Sequence, residues 1–261
     1  MIQGSDSYAP APPPPSESEE GLDDKRTTTL AYRIVTSTIK GLIRVLCRMD
    51  AEQLERVPKQ GPLIAILNHV NFLEVPALYT YLMPRPVTGF VKSEQLKHPL
   101  FGPLLFNLWG GIPVRRGEAD VTAFRQALEA LEAGLIMGVA PEGTRSGHGH
   151  LQRGHPGVAL LALRSGAPVI PLAFYGGELF WDNVSHLRRT DFHIVVGEQF
   201  YVDAEGVKVT SQVRRQITDE IMYQMAALLP PDYRGVYSDL SQATEEYLRF
   251  PPGSESNLRR A

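Results

Sequence analysis

Short apolar runs alternate with helical patterns along most of the chain. Six runs have the length and the bulky side chains of buried β-strands, at residues 63–67, 87–91, 111–114, 135–139, 169–174 and 192–196. The clearest helical pattern between them covers residues 121–133, with Asp120 as its N-cap and Gly134 as its end. Strands separated by helices predict an α/β fold, with a largely parallel central sheet flanked by helices.

An amphipathic helix is predicted before the first of these strands, over residues 28–49. Its polar positions recur every three or four residues and carry four positive charges, at Arg33, Lys40, Arg44 and Arg48. The other positions are mostly apolar, yet four charges are too many for a membrane-spanning helix. Two interpretations stay open: the helix lies in a membrane interface with its cations toward anionic headgroups, or it packs on the protein's own core.

Charge and composition divide the chain further. The first 24 residues contain six acids and no Lys or Arg; without these six, 23 acids face 26 basic residues in the remainder. The Pro-rich acidic stretch over residues 1–27 predicts a disordered tail, and 231–261 a C-terminal extension. The mildly basic remainder suits an anionic substrate or a membrane surface. Nothing in it indicates a nucleic-acid partner.

Cysteine and histidine usage argues against a metal centre. One cysteine, Cys47, excludes an intrachain disulfide and a multi-cysteine metal site, and its apolar neighbours indicate a small buried hydrophobe. An isolated His-x-His pair, His148 and His150, stands in a glycine-rich loop and is more typical of a loop than of a metal site.

Candidate chemistry begins at the end of the strand predicted over 63–67. Asn68 and His69 follow it directly, and Glu74 comes five residues after the histidine. Five residues along one helix would separate the two side chains, so they meet only if His69 lies in a turn that bends back before a helix. Pro76 suits the first turn of that helix. The pair is either a structural hydrogen bond or a base held by its orienting carboxylate.

Two further stretches contain arginines shortly after a predicted strand. The stretch "GVAPEGTRSG" follows the strand at 135–139 and contains Gly143 and Arg145, a combination that suits phosphate binding. It lacks the Lys-Ser/Thr of a P-loop, so a nucleoside-triphosphate site is not expected. The stretch "GGIPVRRG" places Arg115 and Arg116 after another strand. In both cases a solvated surface arginine is the alternative.

Taken together, these stretches resemble the motifs of the glycerolipid acyltransferases, the family that includes 1-acylglycerol-3-phosphate acyltransferases. The family's N-H-x-x-x-x-D is here "NHVNFLE", its G-x-I-x-x-x-R is "GGIPVRR", its F-P-E-G-T-R-S is "APEGTRS", and its apolar V-I-P run is "APVIPLAFYG". The order and spacing agree, and the resemblance covers about residues 28–229. It implies a glycerophosphate acyltransferase-like fold, with residues 51–230 as the acyltransferase domain.

The resemblance also implies an activity and a set of site residues. His69, oriented by Glu74, would deprotonate the hydroxyl of a lysophospholipid, which then attacks an acyl thioester. The acceptor site would be formed by Arg116, Glu142, Gly143, Thr144 and Arg145. Accessory positions beside the motifs are Asn68, Arg115, Arg153 and His155. No cofactor or metal is implied; acyl-CoA or acyl-carrier protein is the co-substrate, and the enzyme would sit on the cytoplasmic face of a membrane.

The sequence departs from the family pattern at two places. Glu74 stands where the family usually has Asp, which leaves a catalytically silent lipid-binding protein as the alternative to an enzyme. Ala140 replaces an aromatic residue, and Arg153 and His155 lie where many members place a lysine. These changes leave the identity of the lysolipid acceptor open.

Overall fold

The computed structural model describes residues 29–99, 101–115 and 120–260. Two sequence predictions lie outside these ranges, the disordered tail at residues 1–27 and the role of Arg116.

Seven strands form one twisted sheet in the order β1-β7-β6-β2-β5-β3-β4. Their bounds are β1 Cys47–Met49, β2 Leu63–Leu67, β3 Val87–Lys92, β4 Ile112–Val114, β5 Ile136–Val139, β6 Val169–Tyr175 and β7 Thr190–Val196. The five strands from β6 to β4 run parallel, while β7 is antiparallel to β6 and β1 runs with β7. A small two-stranded sheet pairs β8 Tyr201–Val202 with β9 Leu248–Arg249.

Helices cover both faces of the large sheet. They are α1 Leu30–Leu46, α2 Glu74–Tyr81, α3 Phe101–Pro103 (continued by a π-helical turn, Leu104–Leu108), α4 Val121–Glu132, α5 Gly157–Ser165, α6 Phe180–Ser185 and α7 Ser211–Ala226. Side chains of β2 alternate between two buried clusters, because successive residues of a strand face opposite ways. Ile64 and Ile66 pack with α4, α5 and α7, whereas Leu63, Ala65 and Leu67 pack with α1 and α2. The predicted α/β architecture is confirmed.

The six predicted strands are all present, each within two residues of its predicted ends. The helix predicted over residues 121–133 is α4, with Asp120 accepting a hydrogen bond from the Ala123 amide at 3.0 Å as its N-cap. Length, apolar content and capping residues were sufficient to predict these elements, because apolar side chains of the strands and of one helix face are buried in the core.

The predicted amphipathic helix is shorter than its pattern suggested. It ends at Leu46, and residues 47–49 form strand β1 beside β7. The Arg189 guanidinium donates to the carbonyl oxygens of Arg44 (2.7 Å) and Cys47 (2.6 Å), which satisfies carbonyls that a longer helix would have used. Cys47 is buried, and this burial raises the pKa of its thiol to about 11, so it is neutral near pH 7.

Helix α1 has two apolar faces rather than one. Tyr32, Thr36 and Ile43 are buried against the rest of the protein, as the core-packing interpretation requires. A second set of large apolar side chains points to solvent, comprising Leu30, Ile34, Val35, Leu42 and Val45. The helix therefore docks on the core with one face and still presents an uncovered apolar face beside its cationic one.

Candidate active site

Two loops that carry candidate residues leave the sheet at the same edge. Strands β2 and β5 are parallel neighbours, so their carboxyl ends, Leu67 and Val139, lie side by side. The loop after β2 starts with Asn68, and the loop after β5 starts with Ala140. Ligands of parallel α/β sheets gather at this edge.

The His69 ring and the Glu74 carboxylate are brought together. His69 Nδ1 lies 3.3 Å from Glu74 Oε2, a long but aligned hydrogen bond. The other carboxylate oxygen, Oε1, accepts from the amides of Val70 (3.2 Å) and Asn71 (3.0 Å). Glu74 is fully buried, while the His69 side chain keeps 12% of its surface exposed. A carboxylate that accepts at Nδ1 fixes the neutral imidazole with its proton there and leaves Nε2 free to take another.

Asn71 makes the turn that allows this meeting. Its Oδ1 accepts from the Leu73 amide at 2.7 Å, an Asx turn, and its Nδ2 donates to the Gly177 carbonyl, two residues after the end of β6. The chain bends back so that α2 starts at Glu74, with Pro76 in its first turn. Sequence reasoning missed Asn71, although an asparagine shortly before a helix is a recognisable turn signal.

Asn68 fixes the end of β2 rather than facing the site. Its Nδ2 donates to the Phe174 carbonyl and its Oδ1 accepts from the Phe174 amide, both at 2.7 Å. The side chain is buried, and this pair extends the β2–β6 ladder by one step. Asn68 therefore fixes the point at which the loop that carries His69 leaves the sheet.

Glu142 fastens the second loop to the first. Its Oε1 accepts from the His69 amide and its Oε2 from the Gln152 amide, each at 2.8 Å. The Glu142 side chain is buried, with 3% of its surface exposed. Glu142 was expected to shape the acceptor site; in the structure its carboxylate holds the backbone of His69. Sequence reasoning missed Gln152, whose main-chain amide makes this contact.

Burial dominates the electrostatics of Glu142. It raises the pKa of this carboxyl to about 7, against hydrogen bonds from His69 and Gln152 that lower it, and the nearby Glu74 raises it further. A charged carboxylate loses its hydration when it is buried, so burial favours the neutral, protonated form over the charged form.

The segment after Glu142 runs along the His69 loop and then opens to solvent. The Ser146 amide donates to the His69 carbonyl at 2.8 Å, and the Gly147 amide to the Val70 carbonyl at 3.0 Å. Thr144 and Arg145, just before this contact, are exposed. The backbone thus brings Arg145 beside the histidine and leaves its guanidinium accessible.

Gly143 and His155 meet within this second loop. Gly143 has a φ of +67°, and a Cβ placed there would come within 2.9 Å of His155 Cδ2. A side chain at this position would be strained and would displace the imidazole. Of the three positions that depart from the family pattern in this loop, Ala140, Arg153 and His155, the last therefore adjoins the predicted acceptor site.

The two other predicted arginines in the described ranges have different surroundings. Arg153 is exposed and lines a separate cavity of about 550 Å³ formed with α7. Arg115 follows β4, which lies three strands from β2, about 14 Å at the usual strand spacing. Among the described residues, no cluster of three or more His, Cys, Asp or Glu side chains is arranged to hold a metal ion.

Comparison with known proteins decides the family. The acyltransferase family profile matches residues 48–175, about half of the chain. The chain is 25% identical to 1-acyl-sn-glycerol-3-phosphate acyltransferase from Pseudomonas aeruginosa over 191 residues, which cover 72% of each chain. This chain belongs to the glycerolipid acyltransferase family. It is therefore an acyltransferase-type enzyme.

Two further proteins with similar names resemble this chain. It is 26% identical to the enzyme of the same name from Borreliella burgdorferi, over 64% of this chain and 69% of that one. In the solved structures, the 1-acyl-sn-glycerophosphate acyltransferase PlsC from Thermotoga maritima matches with a TM-score of 0.54 and 21% identity, over 76% of this chain and 82% of that one. The latter similarity concerns the fold.

No helix in the described part of this acyltransferase is long and apolar enough to cross a membrane.

Proposed function

We propose that this enzyme transfers a fatty acyl group from an acyl thioester to the free hydroxyl of a lysophospholipid, with 1-acylglycerol-3-phosphate as the acceptor. The observation that carries the proposal is the buried Glu74 carboxylate holding His69 Nδ1 at the open edge of the sheet. The names of the relatives supply the acceptor.

The reaction follows from this arrangement. His69 Nε2 accepts the proton of the acceptor hydroxyl as its oxygen attacks the thioester carbonyl carbon, forming a tetrahedral intermediate. The carbon–sulfur bond then breaks, the ester remains, and the leaving thiolate takes the proton from the imidazolium. Glu74 stabilises that imidazolium while it exists. No acyl-enzyme forms and no cofactor is needed.

Binding is assigned to the exposed half of the second loop. The Arg145 guanidinium would hold the acceptor phosphate, since its forked donors match phosphate oxygens. Gly143 and Thr144 would shape the same site, and Arg116 is the second predicted phosphate ligand. Backbone amides of this loop are candidates for the oxyanion contact.

Glu74 in place of the usual aspartate supports an active enzyme. Its longer side chain reaches three hydrogen-bond donors at once, on His69, Val70 and Asn71. The extra methylene is thus accommodated by the turn instead of displacing the carboxylate. This favours catalysis over the silent lipid-binding alternative.

Membrane contact through α1 is part of the proposal. Its uncovered apolar face, next to Arg33 and Arg44, suits an anionic bilayer surface on the cytoplasmic side. Removing α1 would also remove core residues, so a cleaner test is the double change Leu42→Ser and Val45→Ser. Co-sedimentation with anionic vesicles should weaken; unchanged binding would reject this role for α1.

The activity test offers the purified enzyme a mixture of lysolipids with either acyl-CoA or acyl-carrier protein, and identifies products by mass spectrometry. Phosphatidic acid as the main product supports the proposed acceptor, and the productive thioester identifies the donor. A different diacyl lipid would move the acceptor assignment to another headgroup. No product with the wild type, together with product from Glu74→Asp, would establish the silent alternative.

A further inference from the structure

The segment that links β6 to β7 exposes three large apolar side chains within nine residues. In this β6–β7 segment, residues 176–189, the exposed fractions are 55% for Leu179, 66% for Trp181 and 97% for Leu187. Scattered surface leucines are ordinary, but three in one short segment, one of them tryptophan, form a patch that calls for a partner.

Leu187 is held in a conformation that does not suit leucine. Its φ of 54° is the one positive value among the non-glycine residues that the structure describes. Glycine or asparagine is favoured in this left-handed region. This left-handed residue ends α6, where the Leu187 amide donates to the Val184 carbonyl (3.1 Å) and the Arg188 amide to the Asn183 carbonyl (2.7 Å), and the turn leaves the Leu187 side chain pointing into solvent.

The segment is fastened on both sides to parts of the molecule already connected with lipid. Asn71 of the catalytic loop donates to Gly177, and the Phe72 ring lies 5.4 Å from the Trp181 ring. At the other end, Arg189 donates to the Arg44 and Cys47 carbonyls at the end of α1. The segment therefore reaches from the C-terminal end of α1 to the loop that carries His69.

The charge around the patch identifies its partner. Between residues 44–48 and 176–191, four arginines (Arg44, Arg48, Arg188 and Arg189) stand against three acids, Glu178, Asp182 and Asp191, and Glu178 accepts a hydrogen bond from the Tyr233 hydroxyl at 2.5 Å. Asp191 pairs with Arg48 at 3.3 Å, and Asp182 with His186 at 3.7 Å. Tryptophan beside cations is typical of the membrane–water interface, and an excess of arginine suits anionic headgroups.

We propose that the β6–β7 segment is a second membrane-contact surface, which inserts Trp181, Leu179 and Leu187 into an anionic phospholipid bilayer beside the entrance to the His69 site. Together with α1 it gives the enzyme two points of contact, which fix its orientation as well as its attachment. The proposal rests on the proposed action on membrane lipids.

The two tryptophans allow a direct test. Trp109 is 3% exposed and stacked on Tyr79, and Trp109→Phe leaves Trp181 as the single tryptophan, which can be excited apart from the tyrosines. With vesicles of phosphatidylcholine and phosphatidylglycerol, the Trp181 emission should shift to the blue and be quenched by brominated phosphatidylcholine. Vesicles that bind the enzyme without changing this emission would overturn the proposal.

A matched pair of variants tests the segment without removing a tryptophan. Leu187→Ser should weaken vesicle binding about tenfold, since a leucine side chain leaves the lipid. Val207→Ser, at an exposed valine beyond β7 and β8, should leave it unchanged. Equal binding by both variants would reject the surface. Acyl transfer to lysolipid in detergent micelles, measured separately, should persist in Leu187→Ser; failure of that reaction in the wild type would reject the proposed function instead.

Discussion

The two loops at the open edge of the sheet are built in opposite ways. In the loop after β2, from Asn68 to Glu74, the polar side chains of Asn68, Asn71 and Glu74 are hydrogen-bonded within the protein. In the loop after β5, Glu142 is bonded in the same manner, but Thr144 and Arg145 project into solvent.

This difference fits the two roles proposed for the loops: the first positions a proton-transfer group, and the second binds the substrate phosphate. A proton-transfer group has to be held within a fraction of an ångström, so its supports are buried and satisfied before substrate arrives. A phosphate-binding arginine acquires its partner from the substrate and stays accessible until then. Changes in the first loop should therefore lower kcat, while changes at the exposed end of the second should raise KM.

The largest effect is expected at His69. His69→Ala removes the base and should lower kcat about 100- to 10,000-fold, with little change in KM. His150→Ala, at an exposed histidine of the glycine-rich loop, is the control and should behave as wild type. Steady-state kinetics with acyl-CoA and 1-acylglycerol-3-phosphate measures both. Equal kcat values for the two variants would mean that the base has been misassigned.

Glu142 gives a pH-dependent stability. The pKa of Glu142 in the folded protein, about 7, is raised above the ordinary value of a glutamate. The contribution of this group to the free energy of unfolding is therefore complete at low pH and is lost as the pH rises through 7. The free energy of unfolding should fall by about 2 to 3 kcal/mol more between pH 5 and pH 8 in the wild type than in Glu142→Gln. Urea titrations measure it, with the exposed Glu129→Gln keeping the wild-type slope. Identical slopes in all three proteins would show that Glu142 does not titrate in this range.

Shortening Glu74 tests whether its length is used. Glu74→Asp restores the usual family residue but withdraws the carboxylate by about 1.5 Å from the donors on His69, Val70 and Asn71. We expect kcat to fall about 100-fold. A rise in kcat would indicate that the wild-type site is the defective one.

Arg145 should affect binding alone. Arg145→Ala removes a charged hydrogen bond to phosphate and should raise the KM for the acceptor about 10- to 100-fold at nearly constant kcat. Arg153→Ala, in the separate cavity against α7, should change KM by roughly twofold or less. The reverse ranking would show that Arg153, and not Arg145, binds the acceptor phosphate.

The same contrast explains what could be predicted from the sequence. Strand β2, helix α4 and the N-cap Asp120 follow from local pattern, and His69 and Glu74 stand out as polar residues at the end of an apolar run. The structure adds the turn at Asn71 that brings the pair together.

Contacts between distant segments could not be predicted. The bonds from Glu142 to the amides of His69 and Gln152 join loops far apart in sequence, and main-chain donors leave no trace in residue types. The end of α1 at Leu46 was missed for a similar reason, because Arg189, more than 140 residues later, caps its carbonyls.

The central claim is that Glu74 holds the His69 ring with Nδ1 protonated and Nε2 available as the base. Nitrogen-15 NMR of histidine-labelled enzyme at a pH where the ring is neutral reads this tautomer directly, with His69→Ala to assign the signal. We predict the Nδ1–H form, changing toward the Nε2–H form in Glu74→Gln. An Nε2–H tautomer in the wild type would contradict the account, because the nitrogen assigned to take the proton would already carry one.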